Sequence, residues 1–260
     1  MAQCVKKGRS MMSKVVVITG AATGLGRATA LKLAVQGYRL SLVDYNDRDG
    51  EDTAVKAREL GAEAIFTKAD VADEEAVKHY VAQTVEAFGT IDYFHNNAGV
   101  MVPFRYLHEY DVNEFDRIFN INVKGAFLGI KYVIPVMLEN GGGNIVNTVS
   151  SNSLKPTAMN GIYAASKHAL AGLTKSIGQD YQELNIRAVG VAPNSMKTNI
   201  AAGALTTMTP EIGAKIQAST GPNIAATAEE IADVVIFAMT TGATMLNGTV
   251  VSCAGGEIFN

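Results

Sequence analysis

Cysteine is scarce in this chain. Of 260 residues only Cys4 and Cys253 carry a thiol, and they stand near opposite ends. That spacing matches neither a disulfide framework nor a thiolate metal site, so a reduced, cytoplasmic setting is the simplest expectation. No apolar run reaches the roughly 18 residues of a membrane-spanning helix, and no membrane association is expected. Positive charge is not in excess either. Lys and Arg number 22 against 25 Asp and Glu, a formal net charge of −3, the wrong balance for a nucleic-acid partner. The opening MAQCVKKGRSMMSK has basic residues but no apolar segment after them, so no secretory signal is expected there; residues 1–13 read as a loose extension. Repeats, low-complexity tracts and linkers are missing as well, so residues 14–260 are expected to form one domain.

What the chain does have is apolar content, 48% of residues with a mean hydropathy of +0.12, enough for a large core. From Lys14 onward short β-rich runs alternate with helical patterns. Strands are expected at 15–19, 39–44, 62–70, 91–97, 144–150, 186–192 and 248–253. Helices are expected at about 25–36, 49–60, 73–89, 112–139, 162–183 and 228–240, with Pro135 perturbing the fourth. Strict alternation with near-continuous apolar strands predicts an α/β fold. The expected architecture is a Rossmann-type, doubly wound sheet of about seven parallel strands with helices on both faces. Residues 194–223 lack a clean period. They read either as a lid over a substrate or as a helix face packed on the body.

The first strand leads into Thr19-Gly20-Ala21-Ala22-Thr23-Gly24-Leu25-Gly26. Glycines allow the backbone to turn tightly and approach a pyrophosphate, which the following helix N-terminus favours through its free amides. The spacing is GxxxGxG rather than GxGxxG. Gly20, Thr23, Gly24, Leu25 and Gly26 are the candidate contacts. Twenty residues after Gly24, Asp44 ends the second strand, followed by Tyr45. A carboxylate there can accept the adenosine ribose hydroxyls and repel a 2′-phosphate, which favours NAD over NADP; the plainer reading is a strand-end cap.

Tyr163 and Lys167 are four residues apart on a helix and so lie one turn apart on one face. A free tyrosine titrates at about 10, and a nearby ammonium favours the phenolate. Lys167 is therefore expected to lower the pKa of Tyr163 and fit it for acid–base work. Ser150 lies thirteen residues upstream, an offset that selects it over Ser151 and Ser153.

The glycine spacing, Asn96-Asn97-Ala98-Gly99 after the fourth strand, and Ser150 with Tyr163-Ala164-Ala165-Ser166-Lys167 together resemble the short-chain dehydrogenase/reductase family. The resemblance runs from about Lys14 to the C-terminus. It implies Tyr163 as acid–base, Lys167 holding the nicotinamide ribose, Ser150 on the substrate oxygen, and Asn122 in a proton relay. It also implies that Asp70 and Val71 lie against the adenine, that Asn97, Ala98 and Gly99 flank the cofactor, and that Pro193 and Thr198 contact the nicotinamide end. Met159, Asn160, Met196 and Ile200 join Ser150 as substrate-lining candidates. Two departures stand out. Asn194 follows Pro193 where the family has glycine, and asparagine suits a turn in the left-handed region. His95 takes a strand position that is aliphatic in the family and reads as a hydrogen-bonded core histidine. His79, His108 and His168 show no ligand spacing, so no metal site is expected.

The activity implied by the resemblance is that of an NAD-dependent alcohol dehydrogenase or carbonyl reductase acting on an apolar or cyclic secondary alcohol or ketone, assembled as a homotetramer. A polyol or sugar dehydrogenase and a non-catalytic NAD(H)-sensing regulator are the alternatives.

Overall fold

Strand β1 (Val15–Thr19) is buried at every position, and a strand with no polar face must be covered on both sides. In the computed structural model, which describes residues 14–196, 200, 204–220 and 225–255, that cover is complete. Strands β2 (Arg39–Asp44), β3 (Ala64–Lys68), β4 (Tyr93–Asn96), β5 (Gly143–Thr148), β6 (Ile186–Pro193) and β7 (Val250–Cys253) complete a seven-stranded sheet in the order β3-β2-β1-β4-β5-β6-β7. Every pairing is parallel. The winding reverses between β1 and β4, and a crevice opens beyond the carboxyl ends of those two strands.

Helices α1 (Gly24–Val35), α2 (Asp47–Glu59) and α8 (Ala228–Met239) contribute to one core with Leu33, Ala57, Val235 and Met239. On the other face, α3 (Glu74–Phe88), α5 (Ala126–Glu139) and α6 (Gly161–Asp180) contribute Val77, Tyr80, Val133, Met137 and Ile177. Fully burying one side chain of this size contributes about 1.5–3 kcal/mol, so two filled layers hold the strand ends at fixed heights. Local signals mark the helix ends. Asn46 caps α2, Asp73 caps α3, and Gly89 at φ +76° closes α3.

Two elements differ from the sequence expectation. The stretch 112–139 is α4 (Val112–Phe119), a wide π-helical segment (Asn120–Gly125), and then α5, which continues through Pro135. The departure from α geometry therefore lies upstream of the proline. By length and composition this 28-residue helix could cross a membrane, but half of its most apolar window is buried inside the protein. Within 194–223, α7 (Pro210–Thr220) is a regular helix, capped by Thr209 Oγ1 accepting from Ile212 N.

The β1–α1 turn depends on glycine at two points. Gly20 has φ +68°, and a Cβ there would sit 2.9 Å from Asn97 Nδ2. A Cβ on Gly26 would lie 2.1 Å from the Gly20 carbonyl oxygen. Gly26→Ala should therefore cost about 1–3 kcal/mol, the usual cost of overfilling a packed site. Chemical denaturation of the two proteins measures this, and an unchanged midpoint would refute the packing argument.

Candidate active site

The crevice is built first from backbone. Leu25 anchors the start of α1 at 4% exposure, and the Thr23 hydroxyl makes no cap bond to the helix. The first-turn amides of Gly24, Leu25 and Gly26 belong to the group that an α-helix cannot satisfy internally. Asp44 leaves the end of β2 with both oxygens engaged. Oδ2 accepts from Ala22 N at 2.9 Å and Oδ1 from Asn46 N at 2.8 Å. The strand-end cap is thus real, and the carboxylate still stands at the mouth of the crevice, part-exposed. Tyr45 beside it is 73% exposed. Asp70 Oδ1 turns back on Ala72 N at 2.9 Å, and Val71 packs so closely on Gly125 that a Cβ there would come within 2.8 Å of Val71 Cγ2.

After β4 the chain is fastened to β1. Asn97 Nδ2 donates to Thr19 O at 3.0 Å and Gly20 O at 3.3 Å, while Thr19 Oγ1 accepts from Asn97 N and Ala98 N. Gly99 exposes a bare Cα to the site, because a Cβ would approach Asn122 Oδ1 at 3.3 Å and Lys167 Nζ at 3.4 Å. Free helix-start amides, closely approached glycines and a carboxylate on the next strand fit a dinucleotide's pyrophosphate and ribose.

Next to this cradle four polar side chains are buried. Asn122, Ser150, Tyr163 and Lys167 are 0%, 5%, 7% and 3% exposed. Asn122 sits in the π-helical segment, where its Oδ1 accepts from Val100 N at 2.8 Å and its Nδ2 donates to Val100 O and Ser166 Oγ. Lys167 Nζ lies 5.8 Å from the Tyr163 ring centre and donates to Thr148 O at 2.8 Å. The three neighbouring serines separate by partner. Ser151 Oγ donates to Asn194 Oδ1 and Ser153 Oγ to Ser150 O, while Ser150 Oγ accepts from Asn152 N. Ser150 is also the hydroxyl that hydrogen-bonds the Tyr163 phenol.

The expected lowering of the Tyr163 pKa does not appear. Burial raises it, opposed only in part by the bond to Ser150. Burial also pulls Lys167 down, to about 8, with no carboxylate among the described residues offsetting it. A second expectation changes at Asn194. Its φ is not positive; among the described non-glycine residues only Met159 (+61°) and Asn185 (+57°) are left-handed. Asn194 instead accepts from Ser151, which fixes the end of β6 at Pro193 beside the serine loop.

The substrate-lining candidates divide. Met159 and the buried Asn160 precede α6 opposite Arg105, whose N–H donates to Met159 O at 2.9 Å. A cleft of about 500 Å³ opens there, lined by Arg105, Leu107, Ala158, Met159, Gly161 and Ala218 of α7, among others. Ser219 Oγ accepts from Ala158 N and ties α7 to this wall. Met196 packs against the core around α8 rather than lining the cleft, and Ile200 is exposed. Thr198 lies outside the described residues.

Residues 14–208 match a family model described as short chain dehydrogenase. The chain belongs to the short-chain dehydrogenase family. It is therefore an oxidoreductase of a family that uses a nicotinamide cofactor. Levodione reductase from Leifsonia aquatica is 38% identical to it over 94% of each chain. The crystal structure of levodione reductase superimposes with a TM-score of 0.87, covering 94% of this chain and 97% of that one at 37% identity. NAD⁺-bound xylitol dehydrogenase gives a TM-score of 0.86 at 32% identity, covering 95% of this chain and all of that one. A 2,5-dichloro-2,5-cyclohexadiene-1,4-diol dehydrogenase from Sphingobium indicum is 37% identical over 72% of this chain and 74% of its own.

In this short-chain dehydrogenase, Thr148 and the Arg105–Leu107 wall escaped the sequence reading. Thr148 had a signal: two residues before Ser150, it precedes it by one strand repeat. The wall had none, since the pairing of Arg105 with Asn160 is long-range.

The Lys167 shift has a measurable sign. Its folded pKa of about 8 lies below the ordinary value of 10.5, so the unfolded chain holds more protons between those limits. The penalty is complete below pH 8, and this residue's contribution to stability should rise as pH increases from about 8 to 10.5. Unfolding free energies measured across that window should rise less steeply in Lys167→Met than in the parent.

Proposed function

We propose that this enzyme transfers a hydride between NAD(H) and a secondary alcohol or its ketone, apolar or cyclic, with Tyr163 as acid–base. The observation that carries the reading is the burial of Ser150, Tyr163 and Lys167 together, beside the Asn97–Gly99 loop and the glycine turn. When bound, the nicotinamide ring supplies the hydride chemistry. Everything else falls to the chain's own side chains. Tyr163 gives a proton to, or takes it from, the substrate oxygen, and Ser150 donates a hydrogen bond to that same oxygen as its charge changes. Because burial raises the Tyr163 pKa, the phenol is protonated at neutral pH, the form that reduction needs. Lys167, held by Thr148 O, would hold the cofactor ribose with its remaining N–H bonds. Asn122 latches Val100 and fixes the loop carrying Gly99.

Asp44 is the residue we assign to cofactor choice, as its carboxylate would repel a 2′-phosphate. The NAD⁺ in the xylitol dehydrogenase relative supports this assignment. The cyclohexadienediol named for the Sphingobium relative supports a cyclic substrate. The mostly apolar cleft before α6 suits the same class. On this reading the body from residue 14 and the segment 194–223 form one catalytic domain with a substrate lid. We infer a cytoplasmic homotetramer, for which the exposed Val112, Phe115 and Phe127 of α4 and α5 offer apolar contact surface.

Tyr163→Phe should bind NADH with near-parental affinity and lose turnover by about 10²–10⁴-fold, the range of a positioned acid–base group. Retained turnover would refute the assignment. Asp44→Ala should lower the NAD:NADP ratio of kcat/KM by at least about tenfold, equal to about 1.4 kcal/mol. Steady-state kinetics with both cofactors on a panel of cyclic alcohols tests the cofactor and substrate readings together.

A further inference from the structure

His95 lies in the middle of the sheet at 0% exposure, paired in register with Ile18 of β1 and Val146 of β5. Its Nε2 is 2.9 Å from Thr148 Oγ1, and Thr148 Oγ1 is 3.0 Å from Asn97 Oδ1. The proton directions in this chain are fixed by what each group can do. Asn97 Nδ2 already donates to Thr19 O and Gly20 O, so Oδ1 faces Thr148 as an acceptor. Thr148 has one hydroxyl proton and must give it to Asn97 Oδ1. The Thr148 oxygen can therefore only accept from His95, which requires the Nε2–H tautomer. His95 Nδ1 is then a bare lone pair, and it is buried without a partner. Burial lowers the His95 pKa to about 3, consistent with a ring that stays neutral and keeps this one donor role.

The chain ends on parts already assigned to the site. Thr148 also offers its backbone carbonyl to Lys167 Nζ at 2.8 Å, so one residue receives His95 through its side chain and Lys167 through its backbone. Asn97 closes on Gly20, where a Cβ would clash with that same Nδ2.

We propose that His95 is a positioning residue: its Nε2–H orients the Thr148 hydroxyl, and through it the Asn97 amide that fastens the glycine turn to β4. The inference rests on the reading that Asn97, Gly20 and Lys167 face the cofactor. An apolar residue at 95 leaves the Thr148 hydroxyl free to rotate away from Asn97. The amide then loses its orienting partner and the turn its fixed height.

The test has a spectroscopic and a functional part. In parental protein labelled with ¹⁵N-histidine, the resonances of His95, assigned by their loss in His95→Gln, should show the neutral Nε2–H tautomer from pH 5 to 8. A Nδ1–H tautomer, or titration within that range, overturns the proposal whether or not any variant folds. His95→Leu keeps bulk and removes the donor, whereas His95→Gln restores a donor at the position of Nε2. NADH titrated by fluorescence at 20 °C should bind His95→Leu at least about fivefold more weakly than the parent, and His95→Gln should recover most of that loss. Thr148→Val should match His95→Leu, and combining the two should add little further loss. Equal NADH affinity in His95→Leu and parent, or equal loss in His95→Leu and His95→Gln, overturns the proposal. If the parent itself fails to bind NADH, the functional reading falls instead, and the tautomer measurement still decides the role of His95 within the network.

Discussion

The grip of Asn97 on the backbone of Thr19 and Gly20 is the constraint on which the site depends. Parallel topology brings β1 and β4 together with no direct connection, since the chain runs through β2 and β3 in between. Ladder hydrogen bonds align these strands only up to His95 of β4 and Ile18 of β1. Past that pair β1 and β4 share no register, and their ends are joined by a side-chain tie. Asn97 supplies the tie, and Thr19 Oγ1 returns it by accepting two amides from the other side. Everything polar in the crevice is positioned relative to this joint.

The electrostatics have their origin in the same tight construction. Burying an ammonium-bearing lysine and a phenol together disfavours the charged form of each, which lowers the Lys167 pKa and raises that of Tyr163. Among the described residues neither has a carboxylate acting on its pKa. The balance rests on Ser150 for the phenol and on the Thr148 carbonyl for the amine. Such a site holds the Lys167 proton more loosely and the Tyr163 proton more tightly than water would.

Much of this was legible in the chain because it is local. Gly20 and Gly26 report backbone that cannot carry a Cβ, and Asp44 reports a strand end. The four-residue step from Tyr163 to Lys167 reports one helix face. The sheet, its parallel sense and its seven strands follow from apolar alternation. What failed to show depends on distant partners. The π-helical segment leaves no local mark, and the partner that Asn122 meets from within it, Val100, is distant in the chain. The ordinary φ of Asn194 reflects a partner on another loop, Ser151. The direction of the Tyr163 shift depends on burial, which helical spacing alone does not reveal. Helix α7 is a different case, since Thr209-Pro210-Glu211 is a start signal in its own right, masked by the irregular composition around it.

The wide turn at Asn120–Gly125 makes chain length, rather than composition, the sensitive quantity in that helix. Each residue of an α-helix advances about 100° around the axis. A π turn takes one residue more than an α turn, so removing one residue from the widened turn would let it relax to ordinary pitch with α4 and α5 nearly in phase. Phe115 and Phe119, stacked at 4.3 Å, would keep their azimuth, whereas the widened turn that carries Asn122 to Val100 would be lost. A substitution at the exposed Lys124 leaves the phase of the helix untouched. A one-residue deletion within α5 has no widened turn to absorb it and would shift the phase of the whole segment upstream.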